Sequence, residues 1–157
     1  MKRRLVKGAL LVSVLCMLLA GALALAGCAG RGTLSSDIDD TTGTYVAKAN
    51  DAGKGSAVAA SGVMVVKEGQ ILVISPDMQK GYLQIRLLNA AGDVVVNEKA
   101  SGHALATHEI APDDYAIGVA CDVDGATGTV TVAAVDAAEF EKQNHDLEAT
   151  LATMKTA

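Results

Sequence analysis

Between Ser56 and Val135, short runs rich in Val and Ile alternate with breaks of Gly, Pro, Asp and Asn. That texture constrains the fold more than any other feature. β-Branched residues suit a pleated surface, and frequent turn residues leave no room for long helices. Strands are predicted near 57–66, 70–75, 82–89, 93–98, 104–110, 115–121 and 128–135. The turns are Glu68-Gly69, Pro76 to Gly81, Ala91-Gly92, Ser101-Gly102, Pro112 to Asp114 and Asp124-Gly125. Leu83, Ile85 and Leu87 alternate with Tyr82, Gln84 and Arg86, one face dry and the other wet. Val130, Val132 and Ala134 alternate with Thr129, Thr131 and Ala133 in the same way. Within 104–110, Leu105 and Ile110 have opposite parity, which predicts a bulge or a shifted boundary. About seven strands in about 80 residues fit two packed antiparallel sheets. The expected fold class is therefore mainly β, a small antiparallel β-sandwich at 56–135. Its core is aliphatic, with Phe outside it and no Trp in the chain.

Residues 136–157 read as a C-terminal amphipathic helix, running from Asp136 to Met154. Asp136 and Glu139 stand at capping-box spacing. Phe140, Leu147, Leu151 and Met154 project onto one narrow stripe at helical period. The small residues Ala116, Gly118 and Ala120 offer a strand face that such a helix could approach closely, so the helix is expected to pack on its own sandwich; the other reading gives the stripe to a partner. Residues 28–55 are dominated by Gly, Ser, Thr, Asp and Ala and read as a flexible tether, with Tyr45-Val46 the one hint of an edge strand. Such a tether has a reach of about 30 Å.

The N-terminus has three parts. Lys2, Arg3, Arg4 and Lys7 form a positive start, Ala9 to Ala26 is almost wholly apolar, and Leu25-Ala26-Gly27-Cys28 follows. This is the layout of a secretory signal, whose small residues fit the shallow pockets of a peptidase. The run Leu25-Ala26-Gly27-Cys28 closely resembles the lipobox of bacterial lipoproteins. The resemblance implies cleavage between Gly27 and Cys28, removal of 1–27 as signal peptide, and a diacylglyceryl group (with further acylation such as palmitate) on the Cys28 sulfur. It also implies a lipid-anchored protein on the extracytoplasmic face of a membrane. Ala29 resembles the residue that does not retain lipoproteins at the inner membrane, which implies the outer membrane where a host has two.

With Cys16 lost in the signal and Cys28 lipidated, Cys121 is alone and no intramolecular disulfide forms. It shares a strand face with Tyr115, Ile117 and Val119 and is expected in the core. Residues 28–157 carry nine Lys/Arg against eighteen Asp/Glu, a net charge near −9. An acidic body almost without aromatic surface excludes nucleic acid as a partner.

The run Lys67–Val135 resembles the β-sandwich domains of pre-peptidase C-terminal type appended to secreted bacterial proteins. The matching elements are Glu68-Gly69-Gln70-Ile71-Leu72-Val73, Ala91-Gly92-Asp93-Val94-Val95, and Ala111-Pro112-Asp113-Asp114-Tyr115-Ala116-Ile117-Gly118-Val119. The family has Pro-Gly before that Tyr, where this chain has Pro112-Asp113-Asp114. The resemblance implies an accessory or binding role.

No nucleophile elbow, phosphate loop, dinucleotide fingerprint or paired zinc histidines occur. Ser101-Gly102-His103 is a turn rather than a hydrolase fragment, because adjacent residues on a tight turn do not face each other for proton transfer. His108 and His145 read as solvated side chains. If the strands run up and down, Asp77, His103, Asp122 and Asp124 gather at one pole, and Glu68, Asp93, Asp113 and Asp114 at the other. Asp122, Asp124 and Asp77 are then the candidate metal residues, with calcium the ion their oxygens would suit. The expectation is thus a non-enzymatic binding module with no cofactor beyond the Cys28 lipid. Its partner is an envelope protein or a glycan. The alternative is a structural or assembly lipoprotein that docks through its C-terminal helix.

Overall fold

The computed structural model describes residues 32–39 and 42–155. The signal segment, Gly27 and Cys28 lie outside the described residues, as do the side chains of the helix from residue 147 onward. The elements are β1 (Thr33–Asp39), β2 (Thr44–Ala52), β3 (Ala57–Val66), β4 (Gln70–Lys80), β5 (Tyr82–Leu88), β6 (Val94–Ser101), β7 (Ala106–His108), β8 (Asp113–Ala120), β9 (Ala126–Asp136) and α1 (Ala137–Lys155). They form a five-stranded sheet in the order β1-β2-β9-β4-β7 and a four-stranded sheet in the order β3-β8-β5-β6. The chain is mainly β with one C-terminal helix, as expected, but it has nine strands rather than seven.

The two additional strands correct the tether. β1 and β2 pair antiparallel, from Thr33↔Asn50 to Asp39↔Thr44. β2 is hydrogen-bonded in turn to β9. The inward face of β2 carries Tyr45, Ala47 and Ala49, all buried, and Leu34 and Ile38 of β1 pack against the same core.

β4 is longer than its sequence suggests. It runs unbroken through Pro76, which stands opposite Val130 of β9. β7 pairs only with Leu72 to Ile74. The Met78 N–H, which shares its parity with Pro76, donates to the Gly102 carbonyl at 2.9 Å, away from β9. The Pro76 nitrogen therefore faces the edge that β7 has vacated, and its missing donor costs no ladder bond. β7 ends at His108, so the parity conflict between Leu105 and Ile110 is resolved by a short strand: Leu105 is exposed and Ile110 packs against the core.

The core joins Leu72, Ile74, Val130 and Val132 of one sheet to Leu83, Ile85, Leu87, Ile117 and Val119 of the other. Two tyrosines complete it. Tyr115, at the start of β8, donates its hydroxyl to the Ala111 carbonyl at 2.6 Å and ties the β7–β8 connection to the strand it precedes. The Tyr45 hydroxyl is buried beside the buried Ser36 hydroxyl, and neither oxygen has a partner in hydrogen-bond geometry. Burial pushes the Tyr45 phenol up to about 12, opposed in part by Ser36. Burial, and then the Asp113 carboxylate, also raise Tyr115.

A pH dependence follows. Above about pH 10 the unfolded chain releases the Tyr45 proton while the folded chain keeps it. The contribution is complete below that pH and is lost as the pH rises toward the folded value of about 12. The loss runs at ~1.4 kcal/mol per pH unit. Urea midpoints should therefore fall between about pH 9 and about pH 11 in the parent. Tyr45→Phe should flatten most of that fall, leaving a residue due to Tyr115. It should also be neutral or stabilising at pH 7, since it removes an unpartnered buried hydroxyl. An unchanged alkaline slope in Tyr45→Phe would count against this assignment.

Candidate functional site

The sheets are not an up-and-down meander, since neighbouring strands are mostly non-consecutive. Successive strands nevertheless alternate in direction, so alternate connections share an end. One end holds the β2–β3, β4–β5, β6–β7 and β8–β9 connections; the other holds the remaining turns and the root of α1. Asp77, His103, Asp122 and Asp124 fall at the first end, and Glu68, Asp93, Asp113 and Asp114 at the second, as the alternation implies.

Within the first end the four residues divide. His103 Nδ1 lies 3.1 Å from Asp77 Oδ1, with the two side chains 73% and 68% exposed. An ion pair so open to water contributes little to stability. Asp124 is committed elsewhere: its Oδ1 accepts the Lys54 backbone N–H at 2.8 Å and so closes the β8–β9 loop onto the β2–β3 loop. Among the described residues no three His, Cys, Asp or Glu side chains converge as a metal ion would require.

Cys121 follows β8 with its side chain fully buried, and its Sγ lies 3.0 Å from the Val123 carbonyl. It packs as a core residue.

The helix does not take the place expected of it. Asp136 caps it, accepting the Glu139 N–H at 3.0 Å, and the Ala137 N–H donates to the Gly69 carbonyl at 3.0 Å. Its root lies beside Ile71, Thr107 and His108 of the five-stranded sheet, whereas Ala116, Gly118 and Ala120 belong to the four-stranded one. Phe140 is half-buried, whereas residues 141–146 are exposed. Of the expected stripe, only Phe140 has a described side chain; those of Leu147, Leu151 and Met154 lie outside the described part.

Two recesses were not visible in the sequence. One, of about 600 Å³, lies along β1 and β2 and is lined by Ser35, Asp37, Asp39, Thr44 and Lys48. The other, of about 540 Å³, lies between the root of α1 and the edge formed by β4 and β7, with Ile71 and Phe140 beside His108, Glu109, Glu141 and His145. His108 is not a fully solvated side chain: its Nε2 lies 3.2 Å from Glu98 Oε2, with side-chain exposures of 28% and 31%. It has the parity of Ala106, and Glu98 that of Val96 and Ala100, so both point inward from the edge strands of opposite sheets. Polar groups pointing inward at an edge discourage another chain from adding to it. A histidine beside a carboxylate is also half of a proton-transfer pair, but the one hydroxyl among the lining residues is that of Thr107. The available signal was parity: Glu98 and His108 are polar at positions whose neighbours two residues away are apolar.

No family model matches the chain, and no curated protein matches it at a significant level. Among solved structures, PirA is similar at a TM-score of 0.35 and 12% identity, over 71% of this chain and 99% of that one. A cupin domain from Bordetella pertussis is similar at 0.32 and 14%, over 66% and 93%. A chain of the disulfide-linked Bacillus endospore appendages is similar at 0.35 and 14%, over 70% and 94%. Likeness at this level carries no argument about function. No helix among the described residues is long and apolar enough to cross a membrane.

Proposed function

We propose that this chain is a lipid-anchored extracytoplasmic lipoprotein whose β-sandwich is a non-catalytic binding module. The observation that carries the reading is Leu25-Ala26-Gly27-Cys28 closing a charged-then-apolar leader. Covalent lipid localises the domain without help from its surface, which is consistent with an acidic body that anionic head groups repel. Five polar side chains of the folded part support the same reading, since their contacts are structural. Asp124 and Asp136 cap backbone N–H groups, Tyr115 ties a turn, and Glu98 and His108 close an edge.

The direct test is intact mass and metabolic lipid labelling of the envelope-expressed chain. A mature N-terminus at Cys28 carrying a diacylglyceryl mass supports the anchor; an N-terminus elsewhere, or no added lipid, refutes it. A second reading, an assembly lipoprotein docking through α1, is favoured by one observation: the side chains of residues 141–146 are exposed. Under that reading Leu147→Glu with Leu151→Glu abolishes capture of an envelope partner while the urea midpoint of the sandwich stays unchanged. Retained capture by the double variant would return the binding surface to the sandwich.

A further inference from the structure

β1 begins at Thr33, so five residue steps separate the sandwich from Cys28. Fully extended, five steps span at most about 18 Å, and about 6 Å of that lies within the head-group layer. Gly32 is already seated against the fold, because a Cβ there would collide with the Asp51 carbonyl. From Gly32 the neighbouring connections can be followed in turn. Lys80 Nζ and Asp51 Oδ1 both lie against Gly125, at 2.6 and 3.1 Å from where its Cβ would stand. Gly81 stands against Val123 and Ala126, the Gly55 N–H donates to the Cys121 carbonyl at 2.7 Å, and Tyr82 pairs with Ser101. These connections form one blunt end, the end at which the chain departs toward Cys28.

Charge is divided between the two ends. At the end near Gly32, Lys54 and Lys80 stand with Asp51, Asp77, Asp122 and Asp124, and His103 lies beside Asp77. At the other end Lys67 stands with Glu68, Asp93, Glu109, Asp113, Asp114 and Asp136, and α1 adds Glu139, Glu141 and Lys142. An anionic surface repels the second end much more strongly than the first.

From the short lead and this division of charge we infer that the anchored domain stands on the bilayer by the end formed from the β2–β3, β4–β5 and β8–β9 connections. That end faces the head-group surface because the short lead holds it there, and its mixed charge makes it the less strongly repelled of the two. The acidic end and α1 then face away from the membrane, at the far side of a sandwich whose longest strands have 11 residues, about 35 Å of rise. The inference rests on the lipid anchor proposed above and gives that anchor a second role. Besides retaining the domain, it presents one end outward and holds the other against the bilayer.

The chain contains no tryptophan, so a single introduced one reports on its own position. The lipidated full-length chain is reconstituted in vesicles of phosphatidylglycerol and phosphatidylethanolamine containing a lipid with a nitroxide on its head group. Asp122→Trp should lose most of its emission, and Glu68→Trp, at the opposite end, should keep it. Lys54→Trp is an independent probe of the near end, since the bond from Lys54 to Asp124 uses only its backbone N–H. Equal quenching at both ends, or stronger quenching of Glu68→Trp, in protein that carries the Cys28 lipid overturns the orientation alone. Absence of the lipid mass overturns the anchor and the orientation with it.

Discussion

Replacing Cys28 with alanine should leave an uncut precursor or release the chain from the membrane, with no diacylglyceryl mass on any N-terminal peptide. Under the proposed anchoring the lipid mass is lost completely, because lipidation has no other acceptor at the lipobox. Each buried methylene contributes about 0.8 kcal/mol, so two or three acyl chains hold the protein where one would hold it only reversibly. The acidic body contributes repulsion instead. Fractionation and intact mass of Cys28→Ala beside the parent decide the matter. A variant still cut before residue 28 and still sedimenting with membranes would show that the mature domain, not lipid, holds the chain there.

The second large effect is expected at Gly128, in the middle of the five-stranded sheet. This residue has a φ of 144° and lies between Ala49 of β2 and Met78 of β4. The register slips on both sides of it, between Ala49 and Ala52 on one and between Met78 and Lys80 on the other. Two bulges at one level bend the sheet and bring the β4 backbone close. A Cβ on Gly128 would collide with the Asp77 carbonyl and would stand 2.6 Å from the Met78 Cα. Backbone cannot rotate aside as a side chain would, so Gly128→Ala should cost roughly 3 kcal/mol or more. That is a large part of the ~5–15 kcal/mol a domain has. Gly69→Ala is the control. Gly69 also has positive φ, 80°, but nothing lies within 4 Å of its would-be Cβ. That substitution meets only backbone strain, about 1 kcal/mol. Urea unfolding of both variants should separate them clearly; equal losses would mean that conformation, not contact, sets the cost at Gly128.

Seven of the strands were legible because Val and Ile alternate with polar residues over enough length to mark a dry face. β1 and β2 were not. Their inward positions are Leu34, Ser36 and Ile38, then Tyr45, Ala47 and Ala49, and composition dominated by Ser, Ala and Asp reads as linker even where parity is correct. What identifies them as strands is the partner: β9 offers β2 a hydrogen-bonding edge that no local window contains. Pro76 hid the second half of β4 for a related reason. A proline forbids a strand only where its missing donor is needed, and that depends on where the neighbouring β7 stops.

The division of acidic residues between two ends followed from alternation alone, but their chemistry did not. Asp77, Asp122 and Asp124 share an end without converging, because Asp124 is held by Lys54 and Asp77 stands beside His103. The pairing of Glu98 with His108 was out of reach of the sequence for a different reason. It spans two sheets, and which edges of a sandwich face each other is a tertiary fact.

Cys121, lying sealed beneath the β8–β9 loop, also makes the protein its own stopwatch. Once Cys16 is removed with the leader and the Cys28 sulfur is alkylated, it is the one free thiol of the mature chain. A thiol reagent then reacts only when this end of the sandwich opens, and its labelling rate under native conditions counts those openings. Folding also proceeds without waiting for an oxidant or a disulfide isomerase. Under the proposed export, the domain thereby keeps a stability that does not depend on the redox state of the compartment it enters.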